Sequence, residues 1–328
     1  METHNIKGNK VLLGAFADEA ATSHGRCDLG EIFSVMNALG INYWTPRWGF
    51  NPAEGRNVNI ADTQDHAWIK EVRKLSDDHG LQVQVLGSTL MKCSLFEGNA
   101  GKQKYVPEGQ VLEQAKHTIE NAHILGAPFI RGFAGYQTSE MDYLEAFGKV
   151  SRILRKIGEL CAQAGINYVI EPEPEATYMG NNARRLFELA KETRLDNIVL
   201  LHNGSNFHVQ SLDAVEEAKT LLRSGRLAGV HVKAYGKPVT RGDVIDDEYH
   251  VPVDEDKTGY KEVFERIVIG LPELNDHIHS LGGQGFFVTL APRLAISKDR
   301  PSYEGPRTMG IARNALVKML DECRISYR

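Results

Sequence analysis

Two carboxylates stand at the end of an apolar segment in the middle of the chain. Residues 167–173 read NYVIEPE, so Glu171 and Glu173 follow a stretch that is typical of a buried strand. A carboxylate in such a place is costly to desolvate unless a cation, a metal ion or a proton compensates its charge. Glu171 is therefore a candidate for proton transfer or metal ligation.

A histidine and a lysine form a second candidate group further along the chain. In the segment GVHVKAY, residues 229–235, the period of two along a strand puts His231 and Lys233 on the same face. The segment before it, NIVLLHN, ends at Asn203. Carboxylate, amide and imidazole are ligand types that suit Mn²⁺, Zn²⁺ or Mg²⁺. We therefore predict a metal site at Glu171, Asn203 and His231, and catalytic roles for Glu171, His231 and Lys233.

Further polar residues follow the other apolar segments. Arginine and lysine can hold substrate oxygens and stabilise developing negative charge. We predict substrate-binding roles for Arg47, Ser88, Lys92, Arg131, Glu173, Asn206 and Arg293. Trp44 and Trp48 lie near the end of the second segment, where an aromatic ring either stacks on a sugar or packs the rim of the fold.

The apolar segments alternate with amphipathic ones. The former are 11–16, 43–48, 82–88, 129–135, 167–173, 197–203, 229–235 and 285–292. Between them, apolar residues recur at helical spacing, as in Phe147, Val150 and Leu154. Several helical patterns end at a glycine, which suits the left-handed conformation of a helix C-cap. Strict alternation of strand and helix requires a parallel sheet, because each return needs a crossover helix.

Eight strand and helix units in 328 residues predict an α/β fold, the (β/α)8 TIM barrel, as a single domain over 1–328. The alternative is an open doubly wound sheet, although no GxGxxG motif opens the first helix. In a barrel, the active residues stand at the carboxyl ends of the strands, where the candidates lie. The charged connection 236–257 after the seventh strand is a lid or a solvated loop.

Composition favours a small-molecule partner. The formal net charge of −5 is spread along the chain without a basic block of the kind that nucleic acids or anionic membranes attract. No apolar run reaches the length of a membrane span. The four cysteines lack metal-binding spacing, which is typical of a reduced, cytoplasmic setting.

The ordered series of motifs resembles the xylose-isomerase-like barrels of the sugar phosphate isomerase/epimerase family. The motifs are FADEAA, YWTPRWG, GLQVQVLGS, APFIRGF, the strand before Glu171, SNFHVQ, VHVK and TLAPRL. The resemblance implies one divalent metal ion, for which Mn²⁺ is the first candidate. Its ligands in the family are a Glu on strand five, an Asp on strand six, a His on strand seven and a Glu on strand eight. Glu171 and His231 match the first and third ligands. The second falls on Asn203 and the fourth on Ala291, so two carboxylates are missing.

The altered ligand set leaves three interpretations open. The first is an enzyme that removes a proton next to the carbonyl of a sugar or oxidised sugar and favours elimination, since a two-sided epimerisation needs a second carboxylate. The resemblance extends here to the α subunits of C-glycoside deglycosidases, which pair with a small β-rich subunit. The second is a metal-dependent sugar isomerase or epimerase. The third is a non-catalytic sugar-binding or partner subunit, and a homo-oligomer is also compatible with the resemblance.

Overall fold

A computed structural model describes residues 10–21, 26–236, 250–292 and 305–328. In this part of the chain, eight parallel strands form the barrel wall. They are β1 (Lys10–Phe16), β2 (Tyr43–Thr45), β3 (two segments, Gln82–Val83 and Leu86–Gly87), β4 (Phe129–Gly132), β5 (Asn167–Ile170), β6 (Ile198–Asn203), β7 (Leu227–Val232) and β8 (Phe287–Leu290). Each predicted strand corresponds to one of these.

The strands pair in chain order, and β8 returns to β1. The first segment of β3 pairs with β2 and the second pairs with β4, so this interrupted strand completes the ring. Gln84, between the two segments, donates a hydrogen bond to the Leu12 carbonyl at 2.7 Å and accepts one from Thr289 at 2.7 Å. The interruption is thus bridged by side-chain bonds to the opposite wall. The predicted (β/α)8 barrel is confirmed.

Helices surround the barrel and bury one apolar face each against it. They are α1 (Leu29–Ala38), α2 (His66–Asp78), α3 (Glu108–Leu125), α4 (Tyr143–Gln163), α5 (Ala183–Thr193), α6 (Gly204–His208), α7 (Ala214–Arg223), α8 (Tyr260–Ser280) and α9 (Gly305–Glu322). The prediction that several helices end at a glycine is confirmed. Gly126, for example, closes α3 in the left-handed region with φ 69°.

One predicted strand boundary needs correction, and one predicted connection and one predicted site residue lie mostly or wholly outside the described part. The strand expected over 43–48 ends at Thr45, because Pro46 interrupts it and Trp48–Asn51 instead pairs antiparallel with Arg56–Asn59 in a hairpin. The long connection 236–257 is described only at its ends, and Arg293 lies outside the described residues. Among the described helices, none is long and apolar enough to cross a membrane.

Candidate functional site

A cavity of about 440 Å³ opens at the carboxyl ends of the strands. Every predicted site residue in the described part of the chain lines it, although they come from six different strands or the loops that follow them. These residues are Arg47, Ser88, Lys92, Arg131, Glu171, Glu173, Asn203, Asn206, His231 and Lys233, with Ala291 beside them. The fold therefore brings the predicted set together, while the individual roles remain predictions.

Glu171 is buried in the wall of this cavity, where it accepts two hydrogen bonds and pairs with one guanidinium. Its Oε1 accepts hydrogen bonds from Asn203 Nδ2 and from His231 Nδ1, both at 2.9 Å. Its Oε2 lies 3.2 Å from Arg131 Nε. Burial raises the pKa of Glu171, but charge and hydrogen bonds from His231, Arg131 and Asn203 outweigh burial and hold the pKa below its usual value. Glu171 is thus a permanent carboxylate.

His231 turns one nitrogen to Glu171 and leaves the other as an acceptor. Because Glu171 is ionised, Nδ1 must carry the proton of their hydrogen bond. Burial lowers the pKa of His231 and outweighs the opposing effect of Glu171, so the ring is neutral. Its Nε2 is buried and has no hydrogen-bond partner among the described residues. The site therefore contains a basic nitrogen with a free lone pair.

Two buried phenols fix the backbone on which this pair stands. Tyr260 donates to the carbonyl of His231 at 2.7 Å and accepts from the amide of Lys233 at 3.1 Å. Tyr178 donates to the carbonyl of Glu171 at 2.6 Å. The Tyr178 hydroxyl satisfies a carbonyl just after β5, and the Tyr260 hydroxyl satisfies a carbonyl within the last two residues of β7 and the first amide after it. The strand ends that carry the two reactive side chains are therefore each tied to a buried phenol.

Asn203 presents its amide nitrogen, not its oxygen, to Glu171. Its Oδ1 caps the short helix α6, where it accepts from the amide of Asn206 at 3.4 Å and from the hydroxyl of Ser205 at 3.2 Å. An amide nitrogen is a donor and cannot ligate a metal ion. In the described residues, no group of three or more His, Cys, Asp or Glu side chains is arranged to hold a metal. This arrangement does not fit the predicted site of Glu171, Asn203 and His231.

A second carboxylate is paired across the cavity. Glu173 Oε1 accepts from Lys92 Nζ at 2.9 Å, and Lys92 lies 4.6 Å from the ring centroid of Phe133. Burial raises the pKa of Glu173 to about 6, and the neighbouring Glu171 and Glu175 act in the same direction against Lys92. Glu173 therefore belongs to an ion pair of its own and does not contact the Glu171–His231 pair.

Arg47 closes the cavity on the side of β1 and β2. It donates to Glu19 Oε1 at 2.7 Å and through Nε to Asp18 Oδ2 at 2.9 Å. Its guanidinium lies 4.7 Å from the ring centroid of Phe16. Arg47 is therefore held in place by two carboxylates before any substrate arrives.

Several lining residues were missed by the sequence analysis. Glu175 continues the alternation of Glu171 and Glu173 in EPEPE, a signal that could have identified it. Asn59 comes from the hairpin that the predicted strand over 43–48 did not include; the same hairpin carries Trp48, which was already a stacking candidate. Trp48 is 41% exposed and lines the cavity, which suits stacking on a sugar.

Trp44, the other stacking candidate, does not line the cavity. It is fully buried, lies 4.6 Å from Phe33 between ring centroids and donates to Ser76 Oγ at 2.9 Å. It packs between the barrel and the helices α1 and α2, so its role is in the core.

Comparison with solved structures shows the same fold at low sequence identity. The IolI protein, whose structure carries a bound zinc atom, has a TM-score of 0.68 at 13% identity over 95% of this chain and 99% of its own. The probable 3-DHS dehydratase AsbF from Bacillus anthracis has a TM-score of 0.64 at 13% identity over 94% and 98%. D-psicose 3-epimerase from Clostridium cellulolyticum H10, solved with D-tagatose, has a TM-score of 0.59 at 10% identity over 96% and 98%.

The sequence comparisons place the chain in a family. No curated protein sequence matches it. The model of the xylose isomerase-like TIM barrel family matches residues 33–269, which include β2 to β7 and the Glu171–His231 pair. This range is more than half of the chain, and the ring of eight parallel strands agrees with it. The chain therefore belongs to the xylose isomerase-like TIM barrel family.

Proposed function

We propose that this protein is a carbohydrate-active enzyme that removes a proton next to the carbonyl of a sugar or oxidised sugar and then expels a leaving group. C-glycoside deglycosylation, acting on a 3-oxo-glycoside, is the reaction that suits the site best. The observation that carries the proposal is the buried Nε2 of His231, which lacks a partner among the described residues while Nδ1 is anchored on Glu171. This is the geometry of a general base oriented by a carboxylate.

The residues of the chain are sufficient for the proposed chemistry. Nε2 of His231 takes the proton from the carbon beside the carbonyl, and the electrons of that C–H bond form the enolate. The enolate then reforms the carbonyl, a carbon–carbon double bond forms beside it as the bond to the aglycone breaks, and the imidazolium gives the proton to the departing carbon. Glu171 stabilises the imidazolium, while the cations at the cavity wall stabilise the enolate oxygen.

Elimination is favoured over epimerisation because the base is on one side of the cavity. Epimerisation needs a second acid or base on the opposite face of the reacting carbon. The end of β8, where the family resemblance predicts a glutamate, carries Ala291. A single base that both takes and returns the proton suffices for elimination.

The alternative proposal is a divalent-metal-dependent sugar isomerase or epimerase, with Mn²⁺ as the predicted ion. The retained Glu171 and His231 favour it, since they are two of the family's four ligands and approach each other to 2.9 Å. The donor set of Glu171, Asn203 and His231 does not fit that ion, so the proposed elimination involves none. A sugar-binding subunit without activity, a homo-oligomer and a small β-rich partner subunit remain predictions.

Isotope exchange tests the proposal directly. The purified protein is incubated in D₂O with 3-oxo-glucosides, C-glycosides in their 3-oxo form and simple ketoses, and NMR follows both deuterium at the carbon next to the carbonyl and release of the aglycone. We expect both signals with an oxidised glycoside and a loss of about 10²- to 10⁴-fold in His231→Gln. His202→Gln, which alters a buried histidine outside the cavity, is the control. Unchanged activity in His231→Gln would refute the assignment.

A further inference from the structure

We infer that the guanidinium of Arg131 occupies the electrostatic place of a divalent cation in this site, and that the reaction uses no bound metal ion. This inference rests on the proposed function, because the charge to be stabilised is that of an enolate. It goes further in naming the group that balances Glu171 and faces the developing negative charge. Two observations support it, the contacts that hold Arg131 and the residues that stand at the two unmatched ligand positions. A comparison with a purely structural ion pair then shows how the inference can be tested.

Arg131 is fixed on several sides at the end of β4. Nη1 donates to the carbonyl of Ser88 at 2.8 Å, and Nε lies 3.2 Å from Glu171 Oε2. The guanidinium carbon lies 5.0 Å from the ring centroid of Phe133 and 5.8 Å from that of Phe16. The residue is 6% exposed. A charge held this firmly needs no reorganisation when negative charge develops beside it.

The remaining terminal nitrogen of Arg131 is the one available to a substrate. A Cβ added to Gly87, another lining residue, would come within 3.3 Å of Nη2, so Nη2 lies beside Gly87 at the cavity wall. Nη2 makes no hydrogen bond within the described part of the chain, whereas Nη1 is committed to Ser88. The guanidinium thus has one terminal nitrogen anchored on the protein and one without a hydrogen-bond partner in the described residues, beside the cavity-lining Gly87.

The two positions where the family resemblance predicts carboxylate ligands carry Asn203 and Ala291. The first contacts Glu171, and the second has no polar group. Asn203 donates to Glu171 Oε1 at 2.9 Å, while its own oxygen is committed to the start of α6. Turning the amide over would lose that cap and place an oxygen against the Glu171 carboxylate. Ala291 offers a methyl group. Neither position adds a carboxylate beside Glu171, so the single positive charge of Arg131 faces the single negative charge of Glu171.

An ion pair that only stabilised the fold would give a different pattern. Removing one partner of a buried ion pair leaves the other charge uncompensated, so a purely structural pair predicts reduced stability in Arg131→Met with kinetics preserved in the folded protein. A charge that meets the enolate predicts loss of turnover at retained folding. Arg131→Lys keeps the charge without the fork geometry and is therefore the informative variant beside Arg131→Met.

Metal titration and kinetics test the inference separately from the proposed function. Wild-type protein is treated with a chelator, dialysed, and titrated by calorimetry with Mn²⁺, Zn²⁺ and Mg²⁺ with no sugar present. We expect elemental analysis to find no stoichiometric metal and calorimetry to detect no binding, and this result does not depend on knowing the substrate. One equivalent of tightly bound metal in the purified wild type would overturn the inference even if the enzyme proved to be a deglycosidase.

A constructed metal site provides the positive control. In Arg131→Met/Asn203→Asp/Ala291→Glu, three carboxylates surround His231, and we expect Mn²⁺ binding that the wild type lacks. On an active oxidised sugar, chelated wild type should keep full exchange, and Arg131→Met should lose about 10²-fold with a folded far-UV spectrum and partial rescue by added guanidinium. Stimulation of the wild type by a metal, or unchanged kcat in Arg131→Met, would contradict the inference. Failure of every sugar to exchange would count against the proposed function alone.

Discussion

Glu171 and His231 divide their work in a way that the sequence alone does not reveal. Both were candidates for the base, but the carboxylate receives two hydrogen bonds at 2.9 Å and faces Arg131 at 3.2 Å. A carboxylate with this many donors is a weak proton acceptor. The imidazole has the free lone pair, so the carboxylate orients and the imidazole accepts.

Replacing the orienting carboxylate should affect both rate and pH dependence. Glu171 raises the pKa of His231 against the effect of burial, so Glu171→Gln should lower the pKa of the imidazole further and move the acid limb of the pH–rate profile to lower pH. We expect turnover to fall by about 10²-fold or more because the tautomer is no longer fixed. Glu175→Gln, a change in the same cavity without a contact to His231, is the control. An unshifted acid limb would show that Glu171 does not act through His231.

A buried histidine away from the cavity makes stability depend on pH. Burial lowers the pKa of His202 to about 4, against an ordinary value of 6.5. Below pH 6.5 the unfolded chain binds a proton that the folded chain refuses, so stability is lost as the pH falls from 6.5 to about 4, by about 3 kcal/mol in all.

The contribution of His202 can be isolated by difference. Urea unfolding of wild type and His202→Gln from pH 7 to pH 4 should give free energies of unfolding that converge as the pH falls, because the glutamine does not titrate while it can still reach the Ala214 carbonyl, which His202 contacts at 3.0 Å. The difference removes the contributions of the buried carboxylates. A constant offset across this range would show that His202 is not the titrating group.

At the scale of elements, apolar runs and glycine caps were sufficient to predict the barrel, because each strand is buried on both faces and reads as a continuous hydrophobic segment. The same rule failed at 43–48, where the side chains look like one strand but Pro46 removes a backbone donor and starts a hairpin. Because the hairpin was not predicted, Asn59 was not recognised as a residue of the site. The orientation of the Asn203 side chain could not be predicted from the sequence either, because it depends on the helix α6 that begins at the next residue.

Close strand packing next to the base gives an element-scale prediction. A Cβ at Gly229 in β7 would lie 2.2 Å from the Phe287 ring and 2.6 Å from its backbone carbonyl in β8. Gly229→Ala must therefore separate β7 from β8 two residues before His231, and we expect a loss of about 1–3 kcal/mol in unfolding free energy together with lower activity. The control is Gly148→Ala on the exposed face of α4, with no atom within 4 Å of the new Cβ. That change should stabilise by up to about 1 kcal/mol. Equal effects of the two substitutions would contradict this explanation of the strand packing.

At the scale of the whole molecule, the positive charges that line the described cavity are equal in number to its carboxylates. Four cationic residues line the described cavity, Arg47, Lys92, Arg131 and Lys233, against four carboxylates, Glu19, Glu171, Glu173 and Glu175. The chain as a whole is negative at −5. Recognition of a phosphate usually relies on cations whose charge is not already compensated, or on a helix N-terminus. The balance therefore favours an uncharged sugar or glycoside.

Binding of matched neutral and phosphorylated sugars tests this balance. We expect an uncharged ketose or 3-oxo-glycoside to bind with little dependence on salt, because its binding neutralises no net charge. The matching sugar phosphate should bind at least about tenfold more weakly, a difference of about 1.4 kcal/mol in binding free energy. Calorimetry at low and physiological ionic strength measures both. Lys92→Met provides a control of known sign: it leaves Glu173 without its partner at 2.9 Å, so the phosphorylated ligand should be disfavoured further. Tighter binding of the sugar phosphate, lost in high salt, would show that uncompensated cations face the substrate and that the substrate class is anionic.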